Sequence, residues 1–263
     1  MAAYTDLLAS ITRDAGNAAS VVIPDAWMQG RTTYGGLTAA LCLEAAMPLA
    51  PGMPIRSAQV AFVGPVGGPV TCTPTLLRQG KNTVFLSVRM IGTEGVAAEA
   101  IFAFGVARAS ALSFANLPAP DVTAPGDTPS YFGDNPNRPN FTRNFNMRMA
   151  AGTRPISGSD TGDVSIWMRH VDPAAPTDAV ALLAIADAPP PAAMSMFTAP
   201  ARISSMTWMA EFLTDDITTQ DGWFLARHVA ETARDGYSSQ AMTLWNSAGE
   251  PMMIGRQTIA IFG

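Results

Sequence analysis

Two stretches of the chain decide its fold: Gly35-Gly-Leu-Thr-Ala-Ala-Leu-Cys-Leu-Glu-Ala-Ala-Met47 and Thr177-Asp-Ala-Val-Ala-Leu-Leu-Ala-Ile-Ala-Asp187. Both are apolar on nearly every side, and a helix of that kind is enclosed by protein rather than lying on a surface. Each is followed by four strand-like segments, the last of which is rich in Ala, Ile and Phe. The second half of the chain therefore repeats the first, which predicts two similar units of one helix and one sheet.

The segments after each helix predict the strands of an α+β fold. In the first half they are expected at 55–63, 69–79, 82–91 and 96–107, and in the second at 201–212, 222–233, 236–246 and 251–262. Glycine-containing turns such as Gly80-Lys-Asn82 and Asp235-Gly236 separate neighbours, which is typical of hairpins and indicates antiparallel sheets.

Helices are predicted at 35–48 and at 177–187, with Thr177 as the N-cap of the second, and a short lead-in helix at 4–15. Residues 109–140 are rich in Pro, Asp, Asn and Ser and have the composition of a linker. The expected organisation is therefore an N-terminal unit 1–108, a linker 109–140 and a C-terminal unit 141–263.

Composition narrows the classes of function. Of the 263 residues 48% are hydrophobic and 14% are charged, which fits two cores and a large interface between them. The net charge of -5 argues against nucleic acid as a partner.

No apolar run reaches membrane-spanning length and the N-terminus lacks the pattern of a signal peptide, so the cytoplasm is the expected location. Only two histidines are present, and no Cys/His spacing or phosphate-binding motif indicates a metal or cofactor site.

The order and spacing of four segments resemble the TesB-like acyl-CoA thioesterase family. The segments are Gly30-Arg-Thr-Thr-Tyr-Gly-Gly36, then Val60-Ala-Phe-Val-Gly-Pro65 with Gly80-Lys-Asn82 after it, then Trp167-Met-Arg169 with the helix that ends in Asp187-Ala-Pro-Pro-Pro191, and Gly255-Arg-Gln257. The resemblance implies a double hotdog, in which two antiparallel sheets curl around the two helices and join edge to edge. It implies hydrolysis of an acyl-CoA or related thioester in lipid metabolism, by direct attack of an activated water without cofactor or metal. Because single-hotdog relatives build higher assemblies, a homo-oligomer is a further expectation.

The resemblance also implies the residues that hold the attacking water. The family's Asp falls on Asp187 and its Gln on Gln257. A Ser or Thr is expected on the strand after the second helix, where a strict alignment places Ile203. Ser205 and Thr207 follow two and four residues later, on the same face of a regular strand, and Thr207 is the preferred candidate.

Physical arguments bear on these residues independently. Asp187 ends an apolar helix, where the negative end of the helix dipole and partial burial both raise its pKa, as suits a general base, unless it is a surface residue that closes the helix. Gln257 either takes part in a site or is an ordinary edge-strand amide. Backbone N–H groups at Gly35 and Gly36 can polarise a carbonyl oxygen, or the glycines allow tight packing. Tyr34 either donates a hydrogen bond into the same cleft or packs.

A second class of function is a non-catalytic protein that binds acyl-CoA or another acyl ligand and has lost the water-binding group. Ile203 at the expected hydroxyl position favours that alternative. Other chemistries have little support, because the chain has no Gly-x-Ser-x-Gly turn that leads into a helix. Hotdog hydratases place an Asp/His pair at the start of the helix, and neither His170 nor His228 lies there.

Overall fold

The computed structural model describes residues 3–262, and the helices and strands below are those of this range. The helices are α1 Tyr4–Ala9, α2 Gly35–Ala46 and α3 Ala179–Ala186. The strands are β1 Thr12–Arg13, β2 Ala19–Ile23, β3 Met28–Gln29, β4 Thr32–Thr33, β5 Ile55–Phe62, β6 Gly68–Gln79, β7 Thr83–Gly92, β8 Gly95–Gly105, β9 Phe145–Ala151, β10 Asp163–His170, β11 Arg202–Phe212, β12 Phe224–Arg234, β13 Tyr237–Asn246 and β14 Pro251–Phe262.

One twelve-stranded antiparallel sheet runs through both halves of the chain. Its strand order is β1-β2-β6-β7-β8-β5-β11-β14-β13-β12-β10-β9, so the six strands from the first half meet the six from the second where β5 pairs with β11. Val60 lies opposite Trp208 in this central pair, and both side chains are buried. The prediction of a double hotdog, with two sheets joined edge to edge, is confirmed.

The burial pattern of the strands explains how the sheet holds the helices. In β7 the residues Val84, Leu86, Val88 and Met90 are buried, while the residues between them face outwards. This alternation is the period of two expected when one face of a sheet packs on a core. Helix α2 instead has ten buried residues among its twelve, which is the all-round burial expected of a helix enclosed by a curled sheet.

Helices α2 and α3 pack against each other in opposite directions. The start of α2 meets the end of α3, because a Cβ atom on Gly36 would lie 2.4 Å from the carbonyl oxygen of Ala184 and 3.2 Å from Cβ of Asp187. A glycine at this position is therefore what allows the helix start to approach the helix end so closely.

The segment between β8 and β9 runs along the outer face of the C-terminal half. Trp167, Trp223 and Trp245 form a cluster with Leu225 on that face, and Ala119 and Val122 pack on it. The indole N–H of Trp167 donates to the carbonyl of Thr123 at 2.9 Å, and that of Trp245 donates to the carbonyl of Leu117 at 2.7 Å. These contacts fix the first part of the segment to the sheet.

Several helix boundaries differ from those predicted, and two of the differences have a clear cause. The lead-in helix ends at Ala9 rather than at residue 15, because Thr12 and Arg13 pair with β2 across a turn closed by the Asp14 carboxylate. Helix α3 begins at Ala179, and its N-cap is Asp178 rather than Thr177. The Asp178 carboxylate accepts a hydrogen bond from the Ala181 N–H at 2.8 Å, which satisfies one of the free donors at a helix start.

The contact at Gly36 predicts a stability loss for Gly36→Ala. The added methyl group would force α2 and α3 apart, and overpacking of this kind costs about 1–3 kcal/mol in the free energy of unfolding. Urea unfolding followed by circular dichroism measures the loss. Gly126→Ala is the control, because a Cβ atom there meets no heavy atom within 4 Å. Equal stability of the two variants would contradict the close helix contact.

Candidate active site

A cavity of about 810 Å³ lies where the start of α2, the end of α3 and the first residues of β11 come together. Gly35 and Phe62 line it from the N-terminal half, and Asp187, Ile203 and Ser205 line it from the C-terminal half. The segment between β8 and β10 supplies a further wall, made of Tyr131, Phe132, Arg138, Phe141 and Arg154 together with its neighbouring residues. Both halves and the connecting segment therefore build this one space.

Asp187 is the C-cap of α3 and directs its carboxyl group at the start of α2. Burial raises the pKa of Asp187 from 3.8 to about 7, while hydrogen bonds from the Gln257 side chain and the Gly36 backbone N–H act in the opposite direction. Desolvation is thus the cause of the raised pKa. The carboxylate lies at the negative end of the α3 dipole, but it also faces the positive end of α2, which acts in the opposite direction.

Gln257 connects the carboxylate to a hydroxyl group. Its side chain is 2% exposed, and its Nε2 donates to Oδ1 of Asp187 at 2.8 Å and to Oγ of Ser205 at 2.9 Å. The amide therefore holds these two oxygen-bearing groups at one end of the cavity. The structure brings together three of the residues that the sequence pointed to: Asp187, Gln257 and Ser205.

Thr207 does not join this group. A β-bulge at Met206 shifts the pairing of β11 with β14, so that Ser205 lies opposite Ile259 whereas Thr207 lies opposite Thr258. The bulge turns Thr207 to the opposite face of the sheet, where it is exposed. The expectation that Ser205 and Thr207 share a face is wrong for this reason, and Ser205 is the hydroxyl at the cavity.

Tyr34 and the two glycines take structural positions next to the carboxylate. The Tyr34 hydroxyl is buried and donates to the carbonyl of Ala184 at 2.9 Å, and its ring stacks on Phe141, so this geometry does not direct the phenol into the cavity. Gly36 gives its backbone N–H to Asp187. Gly35 lines the cavity, and a Cβ atom there would lie 2.6 Å from Oδ2 of Asp187.

Sequence reasoning missed Gln240, the second buried amide of this region. Its Nε2 donates to Oε1 of Gln257 at 2.7 Å, and its own Oε1 accepts from the backbone N–H of Ala192 at 2.9 Å. In the sequence Gln240 precedes Met242 and Leu244 at intervals of two residues, so it shares their inward face. This spacing is the signal that could have marked it as a buried polar residue.

Sequence reasoning also missed the arginines of the connecting segment. Arg138 lies over the ring of Phe132 at 5.7 Å, and Arg154 lies over the ring of Tyr131 at 5.6 Å. Arg31 lines the same cavity. Within residues 3–262 none of these three guanidinium groups forms an ion pair with a carboxylate. In a chain of net charge -5 they make the cavity wall locally positive.

The positions that correspond to this polar group in the N-terminal half are apolar. Strands β5 and β11 carry matching bulges, directly after Ile55 and directly after Ser205, which fixes the correspondence between the halves. The pairing of β11 with β14 and of β14 with β13 then matches the pairing of β5 with β8 and of β8 with β7, which relates the positions on these strands. The corresponding residues are Met47 for Asp187, Ile55 for Ser205, Phe102 for Gln257 and Leu86 for Gln240. All four are apolar, so the polar group belongs to the C-terminal half alone.

The fold defines a class, that of the double-hotdog proteins. Residues 23–105 match the family described as acyl-CoA thioesterase N-terminal domain, and residues 118–261 match that described as acyl-CoA thioesterase C-terminal domain. The chain belongs to the acyl-CoA thioesterase family.

Solved structures share the fold over nearly the whole chain. A hot dog fold protein of unknown function from Alicyclobacillus acidocaldarius is 23% identical, covers 98% of this chain and 97% of its own, and has a TM-score of 0.89. The tesB protein of Mycobacterium avium subs paratuberculosis is 17% identical, covers 98% of this chain and 99% of its own, and has a TM-score of 0.81. Acyl-CoA thioesterase II TesB2 from Mycobacterium marinum is 17% identical, covers 98% of both chains, and has a TM-score of 0.77. No protein with a curated description matches the sequence.

The helices within residues 3–262 are all too short or too polar to cross a membrane. The same residues contain no group of three or more His, Cys, Asp or Glu side chains placed to hold a metal ion.

The raised pKa of Asp187 predicts how stability changes with pH. A carboxyl group whose pKa is higher in the folded chain binds its proton more tightly there, so its contribution to stability falls as pH rises from about 4 to about 7. Asp187→Asn removes this loss. The free energy of unfolding of the variant minus that of wild type should therefore increase by about 2–4 kcal/mol as the pH rises from 4 to 8.

Urea unfolding at a series of pH values measures this gain. Asp216→Asn is the control, because it removes one carboxyl group from an exposed position outside the buried site. A difference between wild type and Asp187→Asn that stays constant from pH 4 to pH 8 would show that Asp187 has an ordinary pKa.

Proposed function

We propose that this chain hydrolyses the acyl thioester of coenzyme A or a related carrier, by direct attack of water held between Asp187 and Ser205. The observation that carries the proposal is the bridge by Gln257 between the Asp187 carboxylate and the Ser205 hydroxyl at one end of the cavity. The family of the chain supports a thioester as the substrate.

In the proposed reaction each group has one part. Oγ of Ser205 accepts from Gln257, which leaves the hydroxyl proton free to donate to the water oxygen. The water donates one hydrogen bond to the Asp187 carboxylate and keeps a lone pair for the thioester carbon. Asp187 takes the proton as the C–O bond forms, and it returns that proton to the sulfur when the C–S bond breaks, so a carboxylic acid and a thiol leave.

The start of α2 stabilises the negative charge that develops on the carbonyl oxygen. Gly36 gives its N–H to Asp187, but Gly35 also lines the cavity and carries no side chain that would block a ligand from the helix start. Backbone N–H groups at a helix start favour a negative charge through hydrogen bonding and through the helix dipole. The same glycine pair therefore serves the base and the developing oxyanion.

The alternative of a non-catalytic acyl-binding protein loses its main argument. It was favoured because a strict alignment placed Ile203 where a hydroxyl is expected. Ile203 lines the cavity, but Ser205 two residues later supplies a hydroxyl bonded to Gln257. Release of free thiol from a panel of short, long and aromatic acyl-CoA substrates separates the two functions, since tight binding without thiol release would establish the alternative.

Asp187→Asn is expected to lower kcat by about 10²–10⁴, because the shape of the side chain is kept while the general base is lost. Wild-type kcat/KM should rise as the pH increases through about 7, because Asp187 becomes ionised, and this rise of kcat/KM should be absent from the variant. Thiol release between pH 5 and pH 9 provides both measurements.

Thr207→Val is the matched control for that experiment. It removes a hydroxyl from the same strand as Ser205, but from the opposite face, so kcat should stay within about twofold of wild type. Full activity in folded Asp187→Asn, or a collapse of activity in Thr207→Val, would refute the assignment of the site.

The positive wall of the cavity predicts recognition of the phosphates of the carrier. Arg138→Gln combined with Arg154→Gln should raise KM for an acyl-CoA by about threefold to tenfold and leave kcat nearly unchanged, because partly exposed charge pairs contribute up to about 1 kcal/mol. The acyl thioester of N-acetylcysteamine, which has no phosphate, should show no such change in KM.

Arg89→Gln controls for the loss of positive charge as such, since Arg89 pairs with Glu99 and is not part of the cavity. Steady-state kinetics at low and high salt complete the test. An equal rise in KM for the substrates with and without phosphate would mean that the two arginines shape the acyl site instead.

A further inference from the structure

Gln240 uses both ends of its side-chain amide in a buried chain of hydrogen bonds. The residue is 1% exposed. Its Oε1 accepts from the Ala192 backbone N–H at 2.9 Å, and its Nε2 donates to Oε1 of Gln257 at 2.7 Å. The Gln257 Nε2 then donates to Asp187 at 2.8 Å and to Ser205. Four groups are thus linked in series, from a backbone N–H to a carboxylate.

The direction of the whole chain is fixed at its first member. A backbone N–H only donates, so the oxygen of the Gln240 amide must face Ala192 and its NH₂ group must face Gln257. The oxygen of Gln257 then faces Gln240, and its NH₂ group faces Asp187. Turning either amide over would place two acceptors or two donors against each other in a buried site, which is unfavourable.

We propose that Gln240 is a positioning residue, which locks the Gln257 amide with its NH₂ group towards Asp187 and Ser205. It acts through Gln257 and does not touch the substrate. For its effect on turnover the inference rests on the proposed function, but the orientation of the amide can be tested without turnover.

The lock favours the form of Asp187 that acts as a base. An NH₂ group that faces the carboxyl stabilises its ionised form, whereas an amide oxygen that faces it stabilises only the protonated form. With Gln240 in place the amide cannot turn over when Asp187 takes up a proton. Without Gln240 it can, and the protonated form gains a hydrogen bond that the wild type denies it. Removal of Gln240 therefore raises the proton affinity of Asp187.

The chain itself offers the substitution that tests this. Leu86 occupies the position of Gln240 in the N-terminal half, fully buried on the same face of the sheet. Gln240→Leu is therefore compatible with the packing of such a strand, and Gln240→Met, which keeps the unbranched shape, is a second variant. Met242→Leu is the control, because Met242 is buried two residues further on the same face of β13.

The first experiment measures kcat in a double-mutant cycle. Gln240→Leu should lower kcat about tenfold with little change in KM, the loss expected for one hydrogen bond that supports a charged group. In a Gln257→Leu background the same change should cost less than about twofold, since residues that act as a unit are not additive. Met242→Leu should stay within about twofold in both backgrounds.

The second experiment titrates Asp187 without substrate, by NMR of protein with ¹³C-labelled Asp carboxyl groups. The signal is assigned by its absence from Asp187→Asn. Its midpoint should rise by up to about one pH unit in Gln240→Leu and in Gln240→Met, which corresponds to as much as tenfold in proton affinity. Met242→Leu should leave the midpoint in place.

The other groups near Asp187 do not explain such a shift. Tyr34, at the start of α2, is a titratable side chain beside it, and burial raises the pKa of Tyr34, which keeps the phenol neutral. The charged side chains along the cavity are Arg31, Arg138 and Arg154, and the variants leave them unchanged.

The outcomes separate the inference from the proposed function. If the wild type releases no thiol, the proposed function fails, while the titration still decides the inference. An unchanged titration midpoint of Asp187 in both folded Gln240 variants would overturn the inference that Gln240 fixes the orientation of the Gln257 amide. Additive losses of kcat for Gln240→Leu and Gln257→Leu would also overturn it, because Gln240 would then act independently of Gln257.

Discussion

The burial of one carboxyl group between two helix ends is the constraint on which the rest of the site depends. Asp187 ends α3 where α2 begins, and removal from water would by itself hold it protonated. Two glycines leave room for the carboxyl, and one of them supplies a backbone N–H. Gln257 supplies the other donor. The close approach of the helices, the glycines and the buried amides are therefore requirements of the same group.

A comparison of the two halves of the chain shows that the buried polar residues occur only as a complete set. The halves share the helix, the strand order and even the bulges directly after Ile55 and Ser205. Yet one half buries a complete polar network, and the other has apolar side chains at every corresponding position. A partly satisfied buried network is worse than an apolar core, because each unpaired group keeps its full desolvation penalty. The polar residues are therefore kept together or lost together, and the absence of any one in the N-terminal half makes the others unfavourable there.

The sequence predicted the fold well because the fold follows from periodicity. The all-round apolar helices and the alternating strands are local signals, and Asp187 and Gln257 followed from the family resemblance. Thr207 was wrongly placed on the face of Ser205, because alternation assumes a regular strand and a bulge at one residue reverses the face of every residue beyond it. The part of Gln240 was missed for another reason: its partners lie on a neighbouring strand and on the turn after α3, and only the register of β13 with β14 brings them together.

A pKa of about 7 for Asp187 suits both proton transfers of the hydrolysis that we propose. A fully exposed Asp would be ionised at neutral pH, but it would be a weak base for water and a poor partner for protonating the departing sulfur. A buried Asp without donors would stay protonated and could not begin the reaction. The donors from Gln257 and Gly36 limit the effect of desolvation, so that both forms of the carboxyl are accessible near pH 7. Because the orientation of the Gln257 amide decides whether it donates to Asp187 at all, the hydrogen bonds from Gln240 bear directly on the chemistry that we propose.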